Sequence, residues 1–221
     1  MIKIDLQFFG GRGSSSGTDG GATGGVSGGD IVSTTSLISE RETQKALVDE
    51  TLDVFNDVND MYGTQVEDIQ IADMSPGAGA LAYYDSNDNI AINREYFNSE
   101  KMGKAYADSI KSGFHPSNGK KTPLQAVVAH ELGHKLTEQV GAKLGKAGFG
   151  NINKTSNTIV KSAMKATGAK DLKSFRKKIS GYANYSNAEC IAEAFSDVFC
   201  NGKKAKRESH AVVNVINSYL K

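Results

Sequence analysis

His130-Glu131-Leu132-Gly133-His134 is the stretch that decides how this chain is read. On a helix, residues four apart lie one turn apart on the same face. Two imidazoles so placed can reach one metal ion, at about 2.0–2.1 Å each for zinc. Glu131 follows the first imidazole and can lean toward a water on that ion without ligating it. Histidine is scarce: the chain has four, and two of them fall in these five residues.

The flanking residues predict the helix that the spacing requires. Thr122 is a natural N-cap and Pro123 a natural first helical residue. Leu124, Val128, Leu132 and Leu136 then recur every fourth position, with Val127 beside them. The pattern predicts a helix buried on one face and metal-facing on the other, with Gly141 as its stop. Gly133 costs helix propensity, which is tolerable where another backbone must come close. H-E-x-x-H on such a helix is the zinc metallopeptidase signature, with Glu131 as general base.

A catalytic zinc takes three protein ligands and keeps a position for water. His115, in the loop Phe114-His115-Pro116, and His210, in a Lys/Arg-rich stretch, read as surface residues. The better source of a third ligand is the run from Asn187 to Asp197. Ile191, Ala194, Phe195 and Val198 give it a helical apolar stripe, and Glu189, Glu193 and Asp197 an acidic one. Like charges at that spacing repel, unless a cation or His N–H donors face them. The alternative is a solvated acidic face. These residues alone do not choose between Glu189 and Glu193, nor between Tyr182 and Tyr185 as an oxyanion donor.

The pairing of His130-Glu131-Leu132-Gly133-His134 with Tyr182 through Phe195 resembles the anthrax lethal factor-type zinc metallopeptidase catalytic domain, a gluzincin-like group. That family places a Tyr seven residues before a Glu ligand and a second acid four residues after it. Tyr182, Glu189 and Glu193 stand at those positions, followed by Ala194-Phe195. The resemblance implies that Glu189 is the third zinc ligand. It implies that Glu193 accepts from a ligand His N–H and that Tyr182 donates to the oxyanion at the scissile carbonyl. The motifs cover about thirty residues, and the second block is the more specific.

The rest of the chain fits an enzyme of moderate size. It has 221 residues, 38% of them hydrophobic and 23% charged, with a net charge of +1. That balance gives no global pull toward nucleic acid or a membrane surface, and no apolar run reaches the length of a membrane span. Met1 to Phe9 mixes Lys3, Asp5 and Gln7 into its apolar residues and lacks a secretion signal's apolar run. Cys190 and Cys200, the only cysteines, lie in or near one helix and read as reduced thiols of a cytosolic protein. The expected location is the host cytoplasm or a virion.

Residues 1–36 read as a Gly/Ser-rich leader and 37–221 as the folded domain. Ten of the 24 glycines fall in the first thirty residues. Ile2 to Gly13 resembles the opening of many phage head and portal-region proteins of Gram-positive hosts, which implies a phage or prophage origin and phage structural proteins as partners.

Residues 40–62 read as an amphipathic helix with Leu47, Val48, Leu52, Phe55, Val58 and Met61 apolar and an acidic opposite face. Val66 to Ala72 alternates as a strand. Leu81-Ala82-Tyr83-Tyr84 and Ile90-Ala91-Ile92 flank Asp85-Ser86-Asn87-Asp88-Asn89, a hairpin with Asx-turn chemistry. Such a hairpin offers an edge to an extended peptide, with one of Tyr83 and Tyr84 facing substrate and the other the core. Ser99 to Lys111 reads as a helix. Residues 139–180 carry ten Lys/Arg and one acid, Asp171, read as a solvated helix face in preference to a patch for acidic partners. Gly141 to Gly150 reads as a mobile loop beside the cleft.

The expectation is an α+β zincin-like domain: a small mixed sheet and hairpin packed on the active-site helix, with a mainly helical C-terminal half. It is expected to be a zinc endopeptidase with one Zn2+ held by His130, His134 and Glu189. The alternative is a phage head or tail component whose zinc serves assembly.

Overall fold

The computed structural model describes residues 44–74 and 79–221. The leader, the expected folding start near Leu37 and residues 40–43 of the first expected helix lie outside them. The fold is α+β and mostly helical, with one three-stranded sheet.

Helix α1 (Lys45–Tyr62) buries Leu47, Val48, Val54 and Val58 and ends where Gly63 turns left-handed at φ 62°. Met61, expected on its apolar face, is exposed. Its acids meet the loop before the next long helices: Glu50 accepts from Thr122 Oγ1 at 2.8 Å, and Asp57 pairs with Lys121 at 3.5 Å. Three strands follow, β1 (Asp68–Ala72), β2 (Ala82–Tyr84) and β3 (Asn89–Asn93), in the order β1-β3-β2. β1 runs parallel to β3, with Ile69 beside Ile90 and Ile71 beside Ile92. β2 returns antiparallel to β3, with Tyr83 opposite Ala91. The hairpin turn is the expected Asx type: Asp85 Oδ1 accepts from the backbone N–H of Asn87 at 2.8 Å and of Asn89 at 3.0 Å. β2 is therefore an edge strand, paired on one side only among the described residues.

Helix α2 (Ser99–Lys111) has the expected limits. Asn98 caps it, accepting from the N–H groups of Glu100 and Lys101 at 3.0 Å each. Helix α3 (Pro123–Lys143) starts at the expected Thr122 cap, completed as a capping box by Gln125. It does not stop at Gly141, which lies buried inside it. Nor does it have one buried face. Every residue from Ala126 to His134 is buried, because α1, α2, β2 and β3 pack on it as well as the C-terminal helices.

The C-terminal half is helical: α4 (Ile152–Thr167), α5 (Leu172–Ile179), α6 (Asn187–Asn201) and α7 (Arg207–Leu220). The lysines of α4 and α5 are exposed, in keeping with a solvated basic face. Gly141 to Gly150 is not simply a loop beside the cleft; its last part is a helical turn from which Phe149 reaches the Tyr84 ring at 6.1 Å. Cys190 and Cys200 are both buried and unbridged on α6, and burial pushes each thiol up to about 12. No helix among the described residues is long and apolar enough to cross a membrane.

The principal packing is α3 against α6. A Cβ on Gly133 would stand 2.7 Å from Ala192 Cα, closer than real carbon atoms approach. The glycine is where the two helices cross, the close approach its position suggested. Gly133→Ala should therefore destabilise the protein by about 1–3 kcal/mol in urea unfolding, although alanine is the better helix former. Adding Ala192→Gly should not restore stability, because the contact is with the Cα; an unchanged or raised midpoint in Gly133→Ala would refute the crossing.

Candidate metal centre

The crossing brings the two motifs together. α3 delivers His130, Glu131 and His134, one turn apart, and α6 delivers Glu189 and Glu193, also one turn apart. Ser186 fixes the start of α6 by accepting from the Glu189 N–H at 3.0 Å. His130, His134 and Glu189 each offer one donor atom, and these atoms all lie within 4.8 Å of one another. Glu189 Oε2 stands 3.1 Å from His130 Nε2 and 3.5 Å from His134 Nε2.

The donor set suits a divalent cation. All three residues are buried, and His134 Nε2 has no hydrogen-bond partner. Two neutral imidazoles and a carboxylate are the ligand types that zinc accepts, with one position left for water. Without a cation the same atoms share protons. Burial works against the charged form of His130, but hydrogen bonds to Glu189 and then Glu193 outweigh it and hold the imidazole well above its ordinary value. Glu189 is held lower than usual despite burial, first by the field of His134 and then by the His130 hydrogen bond. A cation would take the place of those protons.

Glu193 does not join the ligands. Its Oε1 accepts from His130 Nδ1 at 2.8 Å, on the ring edge away from Glu189. The carboxylate–imidazole pair keeps the Nδ1 proton in place and orients the ring so that Nε2 faces the ligand cluster, ready to ligate a cation that displaces its proton. The third acid of the stripe, Asp197, has a different task. It accepts from Ser209 Oγ at 2.6 Å and from the Lys206 N–H at 2.9 Å, and so holds the start of α7. All three acids are buried, which overturns the solvated-face alternative.

Glu131 is fully buried, and neither carboxylate oxygen has a side-chain hydrogen-bond partner among the described residues. Desolvation pushes its pKa up, against the fields of His130 and His134; the backbone of Tyr84 gives a small opposite effect. Its carboxylate therefore faces the edge strand β2. Tyr182 sits in a helical turn (Tyr182–Asn184), buried, with its ring 5.8 Å from that of His130. Burial and then the Glu189 charge raise its phenol well above the ordinary value, so it stays protonated. Tyr185, its rival, is exposed, with its ring tilted against that of Tyr182 at 5.3 Å.

The two tyrosines of β2 divide unequally. Tyr84 is buried; its one hydroxyl proton is shared between Asp88 Oδ1, 2.8 Å away, and Glu138 of α3, while Lys135 pairs with Asp88. Its side chain is thus not available to a substrate, and only its backbone reaches the edge. Tyr83 is the half-exposed member.

His115 departs most from its sequence reading. It is not a surface residue but is 5% exposed, stacked parallel on Tyr106 at 5.5 Å, with its Nδ1 2.8 Å from Glu193 Oε1. The aromatic residue before it and the proline after it were the available signals that this loop packs inward. His210 lies half-buried on α7 and takes no part in the cluster.

Comparison with protein families, with curated proteins and with solved structures finds no match.

Burial opposes the Glu193 anion, and the imidazoles of His115 and then His130 outweigh it, holding the carboxyl far below its usual range. A depressed carboxyl contributes stability that is present above its unfolded value, about 4.3, and lost as pH falls below it. The melting temperature of metal-free Glu193→Gln should therefore lie below wild type at pH 7, and the gap should begin to narrow below about pH 5 and go on narrowing as the pH falls further. A gap constant over that range in thermal unfolding would contradict the assignment.

Proposed function

We propose that this chain is a metal-dependent endopeptidase of the zincin type, with zinc as its cation. One observation carries the reading: His130, His134 and Glu189 converge within 4.8 Å beside a buried glutamate, Glu131, that has no side-chain hydrogen-bond partner among the described residues. A buried carboxylate without a partner costs stability and is retained where function uses it.

His130, His134 and Glu189 would hold the cation, whose chemistry when bound is Lewis acidity toward water and a peptide carbonyl. The chain's own residues do the rest. Glu131 takes a proton from the attacking water as its oxygen bonds to the carbonyl carbon. It then passes that proton to the amine nitrogen as the C–N bond breaks. Its raised pKa suits both halves of that transfer. Tyr182, held protonated, donates its phenol to the oxygen on which negative charge develops. The edge of β2, unpaired among the described residues, can take an extended peptide by strand addition, with Tyr83 against a substrate side chain. That edge lies next to Glu131, where the scissile bond has to be.

A structural zinc site is normally closed by a fourth protein ligand. Among the described residues no fourth His or Cys joins the three, which favours the hydrolase over the assembly role. The substrate class is peptide or protein, and a place in phage biology, in host cytoplasm or virion, follows from the resemblance of the leader.

Glu131→Gln should bind one zinc per chain like wild type and lose cleavage of a proteome-derived peptide library by at least about 10²-fold. Tyr182→Phe should also keep zinc and lose about 10²–10³ in kcat. His134→Ala should lose the metal. Cleavage retained in Glu131→Gln, or zinc stoichiometry retained in His134→Ala, would dismiss the mechanism.

A further inference from the structure

We propose that His115 is a positioning residue of the metal centre, acting on His130 through Glu193; the inference rests on the metal-centre reading above. His115 and His130 come from different parts of the chain, a loop after α2 and the middle of α3, yet both point Nδ1 at the same atom. Glu193 Oε1 lies 2.8 Å from each. A carboxylate has no proton to give, so each ring nitrogen that faces it carries the hydrogen. Both imidazoles are thereby fixed with Nδ1 as donor, and for His130 that leaves Nε2 as the nitrogen facing Glu189 and His134, donating to Glu189 without a cation and free to ligate one once that proton is displaced.

Glu193 depends on both donors. It is 1% exposed, and its other oxygen, Oε2, has no hydrogen-bond partner among the described residues. The two imidazole N–H groups are thus the hydrogen bonds that keep a desolvated anion in place. A cavity of about 10 Å³, lined by Tyr106, His115, Val127, His130 and Glu193 among others, adjoins it. That is room for about one water and not for a replacement side chain.

His115 is itself held rigidly. Its ring stacks on Tyr106 with planes 5° apart, meets Phe114 edge-on at 5.0 Å and lies 5.4 Å from Tyr182. The loop that carries it is tied to the turn carrying Tyr182. Gly181 N–H donates to Gly113 O and Tyr182 N–H to Phe114 O, each at 2.9 Å. A Cβ on Gly181 would come within 3.1 Å of that Gly113 oxygen, so the tie needs the glycine. A short loop thus sets the orientation of one ligand imidazole and the place of the phenol donor together.

The test uses the full chain and zinc itself. Wild type, His115→Phe and His115→Asn are compared by competition with a chromogenic chelator, and by the visible spectrum of the cobalt-substituted protein. Phenylalanine keeps the aromatic stack and removes the donor; asparagine places an N–H near the position of Nδ1. His115→Phe should bind zinc about 10–100-fold more weakly and shift the cobalt bands, while His115→Asn recovers most of the affinity. Wild-type affinity and spectrum in His115→Phe would overturn the proposal, as would a loss in His115→Asn equal to or larger than that in His115→Phe, since a purely packing role favours the variant that keeps the stack. Should His115→Phe fail to fold, imidazole nitrogen resonances of wild type decide: a protonated His115 Nδ1 supports the inference, and a bare one removes it. Wild type that binds no zinc would instead condemn the metal-centre reading on which this rests.

Discussion

The structure depends on how closely two helices can cross. At Gly133 the α3 backbone presents no side chain, and Ala192 of α6 moves into the space. The ligand atoms are short-reaching: imidazoles on one helix, a carboxylate on the other. They meet within a few ångströms only because the axes are nearer than ordinary side chains allow. Each remaining feature of the centre follows from that approach. Glu189 lies over His130 and His134, Glu193 reaches the far edge of the His130 ring one turn on, and Ser196 Oγ donates to Ala126 O at 2.9 Å further along the same seam.

The cost of this arrangement is a concentration of charge in a dry interior. Glu131, Glu189, Glu193, His115, His130 and His134 are all buried. Most of that charge is offset internally, since Glu189 and Glu193 both find imidazole donors. Glu131 is the exception, and it stands at the open strand edge. The surroundings make up the difference with ordinary packing: α1 and the sheet cover one side of α3, and α4, α6 and α7 the other. A single such acid at the reacting position is what a proton carrier needs, and a second would add cost without use.

Much of this was legible in the sequence where local chemistry decides. The Thr122-Pro123 start of α3, the limits of α2, the Asx hairpin and the helical stripe of α6 follow from caps, turns and periodicity. Gly133 announced a close backbone contact. What was not legible depends on what lies on the far side of a residue. Periodicity gives α3 one apolar face, but it is enclosed on all sides, because its polar residues His130, Glu131 and His134 are buried as well, facing α6 and the sheet. Gly141 reads as a stop, yet the helix passes through it. His115 could not be found by spacing at all, because its partner Glu193 is 78 residues away. The parallel pairing of β1 with β3 is likewise a product of tertiary packing, not of either strand's own pattern.

The knot formed by Tyr84, Asp88, Lys135 and Glu138 has a mechanical consequence. It joins the tip and the edge of the hairpin to the same helix that carries His130 and Glu131. Strand and helix are thereby tied together, so in the proposed peptidase a chain laid along the edge would be gauged against the carboxylate by a fixed distance. In that reading, adaptation to differently sized guests would fall to the turn that carries Tyr182 and to the exposed Tyr185.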